Sequence, residues 1–369
     1  MIEFVMLCTL VRRIYSMKKI SVICPPLARP RLLAGVIWAI CGLFCFAGVS
    51  LAGDINTPTG MVAFLKNKQL PTLKTIDLWE SQFGTGLKLT TTHYEIYTTL
   101  LDPLMLSQVP GFVESAYRAY QNQLPKPIET SAPLTVYLFA NRQQWEVFTK
   151  DFAGAAARMY LKIRAGAYYL NGACVAYNIG RERTFSTLGH EGWHQFNSRL
   201  FRYRLPSWLD EGIAMQFETT EYDGGFFTFT PDRNGYRLGS LKRTLLKDDV
   251  IPLKTLVTLN PGEVVTENDE AVAAFYSQAY ALIRFLREDN YGKRLAKYQN
   301  LLFDGLNGQW PLSPEDIKIA ADRNIPITVN WNHEIGKVLF EHYIDSDYEK
   351  IEKEYLIFCR KITYSIRLR

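Results

Sequence analysis

Two of the chain's five histidines lie four residues apart in the stretch STLGHEGWHQF, Ser186–Phe196, with a glutamate directly after the first. This pentad, His190-Glu191-Gly192-Trp193-His194, constrains the fold more than any other feature. On a helix, residues four apart share one face, one turn from each other. Two imidazoles so placed can grip one metal ion, and the glutamate between them points near the open coordination position. There it can take a proton from water. A catalytic zinc takes three protein ligands and keeps a position for water, so the fold must also bring a further ligand to this helix. The competing reading is two histidines on an ordinary helix, with no metal.

The flanking sequence sets the fold class. HYEIYTTL (His93–Leu100) alternates and is rich in β-formers, which predicts a strand. PGFVESAYRAYQNQL (Pro110–Leu124) has helical spacing. LTVYLFA reads as a buried strand, and the helix after it starts on Asn141 as N-cap. In AGAYYLNGACVAYNI, Asn171-Gly172 between two apolar runs predicts a hairpin. The pentad helix follows, then LPSWLDEGIAMQFE, with Ser207 as N-cap and Asp210 at the third helical position. YDGGFFTFT reads as a short hairpin or loop. RLGSLKRTLLKDD, ENDEAVAAFYSQAYALIRFLREDN, NWNHEIGKVLFEHYI and DYEKIEKEYLIFCRKI predict helices. Strands and helices first, then mostly helices, make an α+β layout. Residues 53–88 read as a lead-in, 89–345 as the domain, and 346–369 as a helical, basic tail.

A third ligand is available 17 residues past His194. Asp210 and Glu211 both sit in a first helical turn, where acids suit the helix dipole. Asp210 fits that role and leaves Glu211 for the metal. HEGWHQF followed by LPSWLDEGIAMQFE resembles the gluzincin metallopeptidases, especially the bacterial peptidase MA-like group of exported proteins. Their third zinc ligand is the glutamate of a WLxEGxA helix. The resemblance spans residues 90–345 and is strong over 186–218. It implies a zincin-like fold with a small mixed sheet, Zn²⁺ on His190, His194 and Glu211, and Glu191 as general base and later acid. FYSQAYALIRFL, Phe275–Leu286, is similar to the helix that follows in this group.

One departure concerns the metal's surroundings. Some gluzincins carry an acid four residues after the third ligand, orienting a zinc histidine, and here Met215 stands there. The sequence thus leaves the partners of the zinc histidines unidentified. Such enzymes often use a Tyr or His as donor to the developing oxyanion. Tyr276 is the candidate, with Tyr280 one turn on; the competing reading makes both core residues. The strand around ACVAYNI matches the edge strand that pairs with extended peptide in these enzymes; its plain alternative is a structural strand. His93, His333 and His342 are isolated and read as structural or exposed.

Charge and cysteine usage bound the rest. The formal net charge is +5, but residues 1–52 hold six basic residues and one acid, so the remainder is neutral. That takes away the main support for a nucleic-acid partner and leaves room only for a local basic patch. A basic segment ending at Arg31 precedes an apolar run without charge until Asp54, the pattern of an export signal cleaved after Ala52. The run is also long enough to stay as an anchor, tying the chain to a membrane through residues 32–52. Either form places the body outside the cytoplasm, in periplasm, extracellular space or on a membrane. "MKK" at Met17 offers a second start. Four of six cysteines lie in this leader; Cys174 and Cys359 form one disulfide or stay as two buried thiols. The expectation is an exported zinc peptidase acting on peptide or protein. Its rivals are a noncatalytic zincin-fold binding or envelope-assembly protein and a zinc hydrolase of a non-peptide amide. No motif fixes the cleavage preference or the oligomeric state.

Overall fold

The computed structural model describes residues 54–128, 130, 132–164, 166–265 and 269–368. The leader, with its apolar run and four cysteines, lies outside the described residues. The stretch read as a lead-in carries α1 (Pro58–Lys68) and the hairpin of β1 (Thr75–Ser81) and β2 (Gly84–Thr90). Thr57 caps α1 by accepting the Gly60 N–H, and Pro58 occupies its first position. In β1 only Ile76 is buried, so the strand has almost no apolar period to read.

β3 (Tyr94–Thr98) alternates buried and half-buried residues, as its sequence predicts. α2 (Pro103–Gln121) begins seven residues before the expected Pro110. Asp102 accepts the Leu104 and Met105 N–H groups and starts it there, while Pro110 sits inside the helix. Then come β4 (Leu134–Phe139), α3 (Arg142–Ala153) capped by Asn141, and the short α4 (Ala157–Tyr160). β5 (Ala167–Leu170) and β6 (Ala173–Tyr177) form the expected hairpin, with Asn171 at φ 49° and Gly172 at φ 83°. Positive φ at both turn residues is what Asn-Gly supplies.

These six strands make one mixed sheet in the order β1-β2-β3-β4-β6-β5. The β3–β4 and β4–β6 pairs are parallel and the others antiparallel. The helical crossover through α2 makes the first parallel pair possible. The ACVAYNI strand, expected at an edge, is interior: β6 pairs with β4 on one side and β5 on the other. All five of its residues are buried, Cys174 and Ala176 on one face and Ala173, Val175 and Tyr177 on the other. An unbroken apolar run belongs to a strand covered on both faces. The edge is β5. Cys174 and Cys359 are two buried free thiols, the second of the two alternatives.

The second half is helical apart from one hairpin. α5 (Arg181–Leu200) bears the pentad and α6 (Ser207–Ala214) bears Glu211. β7 (Thr220–Asp223) and β8 (Phe226–Phe229) pair with each other and cover α2, where Phe112 and Phe227 meet edge to face at 5.2 Å. α7 (Gly235–Lys247), α8 (Leu253–Leu256), α9 (Pro261–Val265) and α10 (Asp269–Gly292) follow. α10 breaks at Asp289–Tyr291, where Asn290 and Tyr291 turn left-handed. α11 (Leu295–Asn307), α12 (Pro314–Ala321), α13 (Val329–Tyr343) and α14 (Tyr348–Thr363) complete the chain. α14, placed in the tail by sequence, buries Ile351, Tyr355 and Phe358 in the main core. No helix among the described residues is long and apolar enough to cross a membrane.

Two pentad-region glycines let α5 lie close to its neighbours. Tyr120 donates its hydroxyl to the Gly189 carbonyl at 2.7 Å. A methyl group on Gly189 would strike the Phe217 backbone carbonyl, and one on Gly192 would strike the Tyr120 hydroxyl. Backbone cannot swing aside as a flexible side chain can. Gly189→Ala should therefore destabilise the fold by about 1–3 kcal/mol through overpacking, read as a lower urea midpoint. An unchanged midpoint would show that α5 can shift without loss.

Candidate metal centre

α5 is fixed to the sheet by Gln195, whose amide donates to the Thr135 carbonyl at 2.7 Å and the Gly172 carbonyl at 2.9 Å. Trp193, fully buried, packs on the opposite side against Phe196, Tyr120 and Phe217. These contacts leave the His190–His194 face to α6. α6 is tied in turn to α13 and α10. Ser207 is not its N-cap; Pro206 is, with extended backbone. Ser207 lies one position inside, and its N–H and hydroxyl both donate to Asn332 Oδ1. One of the first-turn N–H groups that have no partner within the helix is thus met from another helix. A Cβ on Gly212 would meet the Ala279 carbonyl, so α6 and α10 are in close contact.

The packing brings His190, His194 and Glu211 together, with one ligand atom from each within 4.8 Å of the others. All three are buried. His190 Nε2 is 3.4 Å from Glu211 Oε2, and His194 Nε2 is 4.0 Å from Glu211 Oε1. Donor atoms on a tetrahedral ion with bonds of ~2.0–2.1 Å stand about 3.3 Å apart, so the three side chains fit one small cation with little movement. Two imidazoles and a carboxylate are the donor types that zinc takes. The buried Oε2 of Glu191 has no hydrogen-bond partner. The Tyr169 backbone, on β5, faces the same carboxylate and favours its charged form.

The outer nitrogen of each imidazole meets its own carboxylate. His190 Nδ1 is 3.1 Å from Glu218 Oε1, and His194 Nδ1 is 2.9 Å from Asp210 Oδ1. This fills the gap left by Met215, and from two positions that sequence had not assigned to it. Asp210 also accepts the Asn197 amide at 2.8 Å. Glu218 is held by Arg237, at 2.6 and 2.9 Å, and by Asn234 at 2.8 Å. A carboxylate behind a ligating imidazole fixes its tautomer and raises its basicity. Tyr276 lies under the Arg237 guanidinium, 5.5 Å from the ring centre. The Tyr280 hydroxyl is engaged elsewhere, with the Pro231 carbonyl. His93 and His333 pair with Glu114 and Glu263, and His342 stacks edge-on with Tyr343, all away from the centre.

Electrostatics follow from this arrangement. Burial lowers the His190 pKa, but its hydrogen bonds to Glu211 and Glu218, with their charges, outweigh burial and raise it to about 10. For His194, burial is overcome by Asp210 and Glu211, and the pKa rises to about 9. Burial lifts Glu191 to about 7 against the pull of both histidines. Burial would lift Glu218 too, but Arg237 and His190 hold it well below the usual carboxylate range. Burial, with the charge of Glu211, keeps the Tyr276 phenol protonated.

Two predictions follow. Without metal, both imidazoles carry protons at neutral pH, and an ion entering at the Nε2 atoms must displace them. Zinc affinity should rise with pH until about 9–10, with about two protons released per ion near neutrality. Calorimetry in buffers of different ionisation heat counts them; zero release would contradict the assignment. Glu218→Gln or Asp210→Asn should each weaken zinc binding by ~10–100-fold, measured by competition with a chromophoric chelator.

Residues 184–302 match a family model described as a protein of unknown function, DUF1570. The match encloses the metal-centre ligands, both outer carboxylates, Arg237 and Tyr276. No curated protein matches the chain, and no solved structure matches it.

Proposed function

We propose that the chain is an exported, zinc-dependent peptidase with a gluzincin-like, zincin-type domain, acting on peptide or protein. The observation that carries this reading is the buried His190–His194–Glu211 cluster with Glu191 beside it and a carboxylate behind each imidazole. A bound Zn²⁺ would polarise the scissile carbonyl and acidify water.

The chain's own residues supply the rest. His190 and His194 offer Nε2 to the ion while their Nδ1–H groups donate to Glu218 and Asp210. Glu191, with its pKa raised to about 7 by burial, is suited to take a proton and return it near neutral pH. It removes the proton from the attacking water as the C–O bond forms. It then delivers that proton to the amine nitrogen as the C–N bond breaks. The Tyr276 hydroxyl stays protonated and can donate to the carbonyl oxygen as its charge grows.

Glu191→Gln should keep zinc and fold but lose ~10²–10⁴ in rate, read with a peptide library and elemental analysis. Equal cleavage by the variant would reject Glu191 as base. No cleavage of any peptide by the unmodified, zinc-loaded protein would favour a binding role. Export is tested separately by fractionation and N-terminal sequencing, with a start near Gly53 expected if the leader is cleaved. A cytoplasmic product retaining residues 32–52 would reject it.

A further inference from the structure

A cleft of about 620 Å³ adjoins the metal centre and shares Glu218 and Arg237 with it. Those two side chains are paired with each other, so they contribute no net charge to the cleft. Its other wall is the start of α5, which includes Arg181, Glu182, Arg183 and Ser186. Ser186 and Arg183 precede His190 by four and seven residues, so all three lie on one helical face. Arg183 is exposed and has no ion-pair partner among the described residues. Arg181 is similarly exposed, and Glu182 offsets one of the two charges, leaving the wall positive. Arginine in a first helical turn opposes the helix dipole, so helix stability does not explain it. Tyr222 and Tyr236, both exposed on the far side, offer aromatic surface to a chain lying between.

We propose that Arg183 selects substrates with an acidic side chain about three residues from the bond that is cut. The spacing comes from geometry. Seven residues of helix rise about 10 Å, which an extended peptide covers in about three residues at ~3.3 Å each. The cleft meets the centre through Glu218 and Arg237, on the Nδ1 side of His190, and a substrate that leaves the metal past these two side chains and follows α5 brings such a side chain to Arg183. The selection rests on the peptidase reading above.

The test uses fluorescein-labelled octapeptides that carry Glu, Gln or Lys three residues from the central bond, on either side of it. Binding is read by anisotropy on the zinc-loaded Glu191→Gln protein, and cleavage by mass spectrometry on the unmodified one. The Glu peptide should bind roughly threefold to fivefold more tightly than the Gln peptide, the worth of an exposed ion pair. The gap should close between ~50 and ~500 mM salt. Arg183→Glu should abolish or reverse it, and Arg183→Lys should keep most of it. Circular dichroism confirms folding of each variant. Equal binding of Glu and Gln peptides, or a preference that survives Arg183→Glu, overturns the selection. Peptides bound with the preference but never cut overturn the peptidase reading alone, and peptides cut without it overturn the selection alone. Peptides neither bound nor cut overturn both.

Discussion

Burial of charge at the α5–α6 contact governs the rest of this structure. Two buried carboxylates (Glu191 and Glu211), two partly buried ones (Asp210 and Glu218) and one buried guanidinium (Arg237) surround two buried imidazoles. Unpaired ions cannot be kept there cheaply, because removing a carboxylate from water costs several kcal/mol. Two protonated imidazoles supply the missing positive charge in the metal-free chain. A divalent cation supplies the same charge when it replaces those two protons. The exchange is therefore isoelectric, and the surrounding carboxylates need not rearrange to accept it. That is a physical reason for raised histidine pKa values and good metal geometry to coexist at one place.

Sequence made some of this legible and hid the rest for reasons that specific residues explain. The pentad is readable because residues four apart share a helical face, and Glu211 because Asp210 fits the first-turn role and WLDEGIA resembles the third-ligand helix of the gluzincins. The β5–β6 hairpin was readable because Asn-Gly permits two consecutive positive φ angles. Asp210 was read only as a dipole partner, since first-turn acids are common there; its contact with His194 depends on how α5 and α6 cross. Glu218 is hidden because the position four residues past Glu211, where an orienting acid is expected, is Met215. Seven residues past is also on that face, and the chain tightens into a 3₁₀ turn over Met215–Phe217 before reaching it. The resemblance puts β6 at an edge, whereas its unbroken apolar run ACVAY suits a strand covered on both faces. β1 is hard to read because only Ile76 is buried and polar residues make up four of its seven positions.

The two halves of the fold divide the work at the centre. The sheet half positions the pentad helix, through Gln195 on Thr135 and Gly172, and the Tyr169 backbone on β5 favours the charged form of Glu191. The helical half supplies Glu211, Glu218, Arg237 and Tyr276 from α6, the turn after it, α7 and α10. Neither half holds a complete site, so the centre reports on their docking as well as on local helix structure.

That division makes the two imidazoles unequal. His194 leans on Asp210, whose side chain is 26% exposed and one residue from the ligand Glu211. Its support is local to the α5–α6 contact. His190 leans on Glu218, which is 11% exposed and clamped by Arg237 and Asn234 from the start of α7. Without that clamp, burial would push Glu218 toward its neutral form, and a neutral acid would offer His190 a weaker acceptor. Arg237 thus acts on the metal site without touching it, by keeping Glu218 ionised. The position of α7 sets the basicity of one ligand, and the crossing of α5 with α6 sets that of the other.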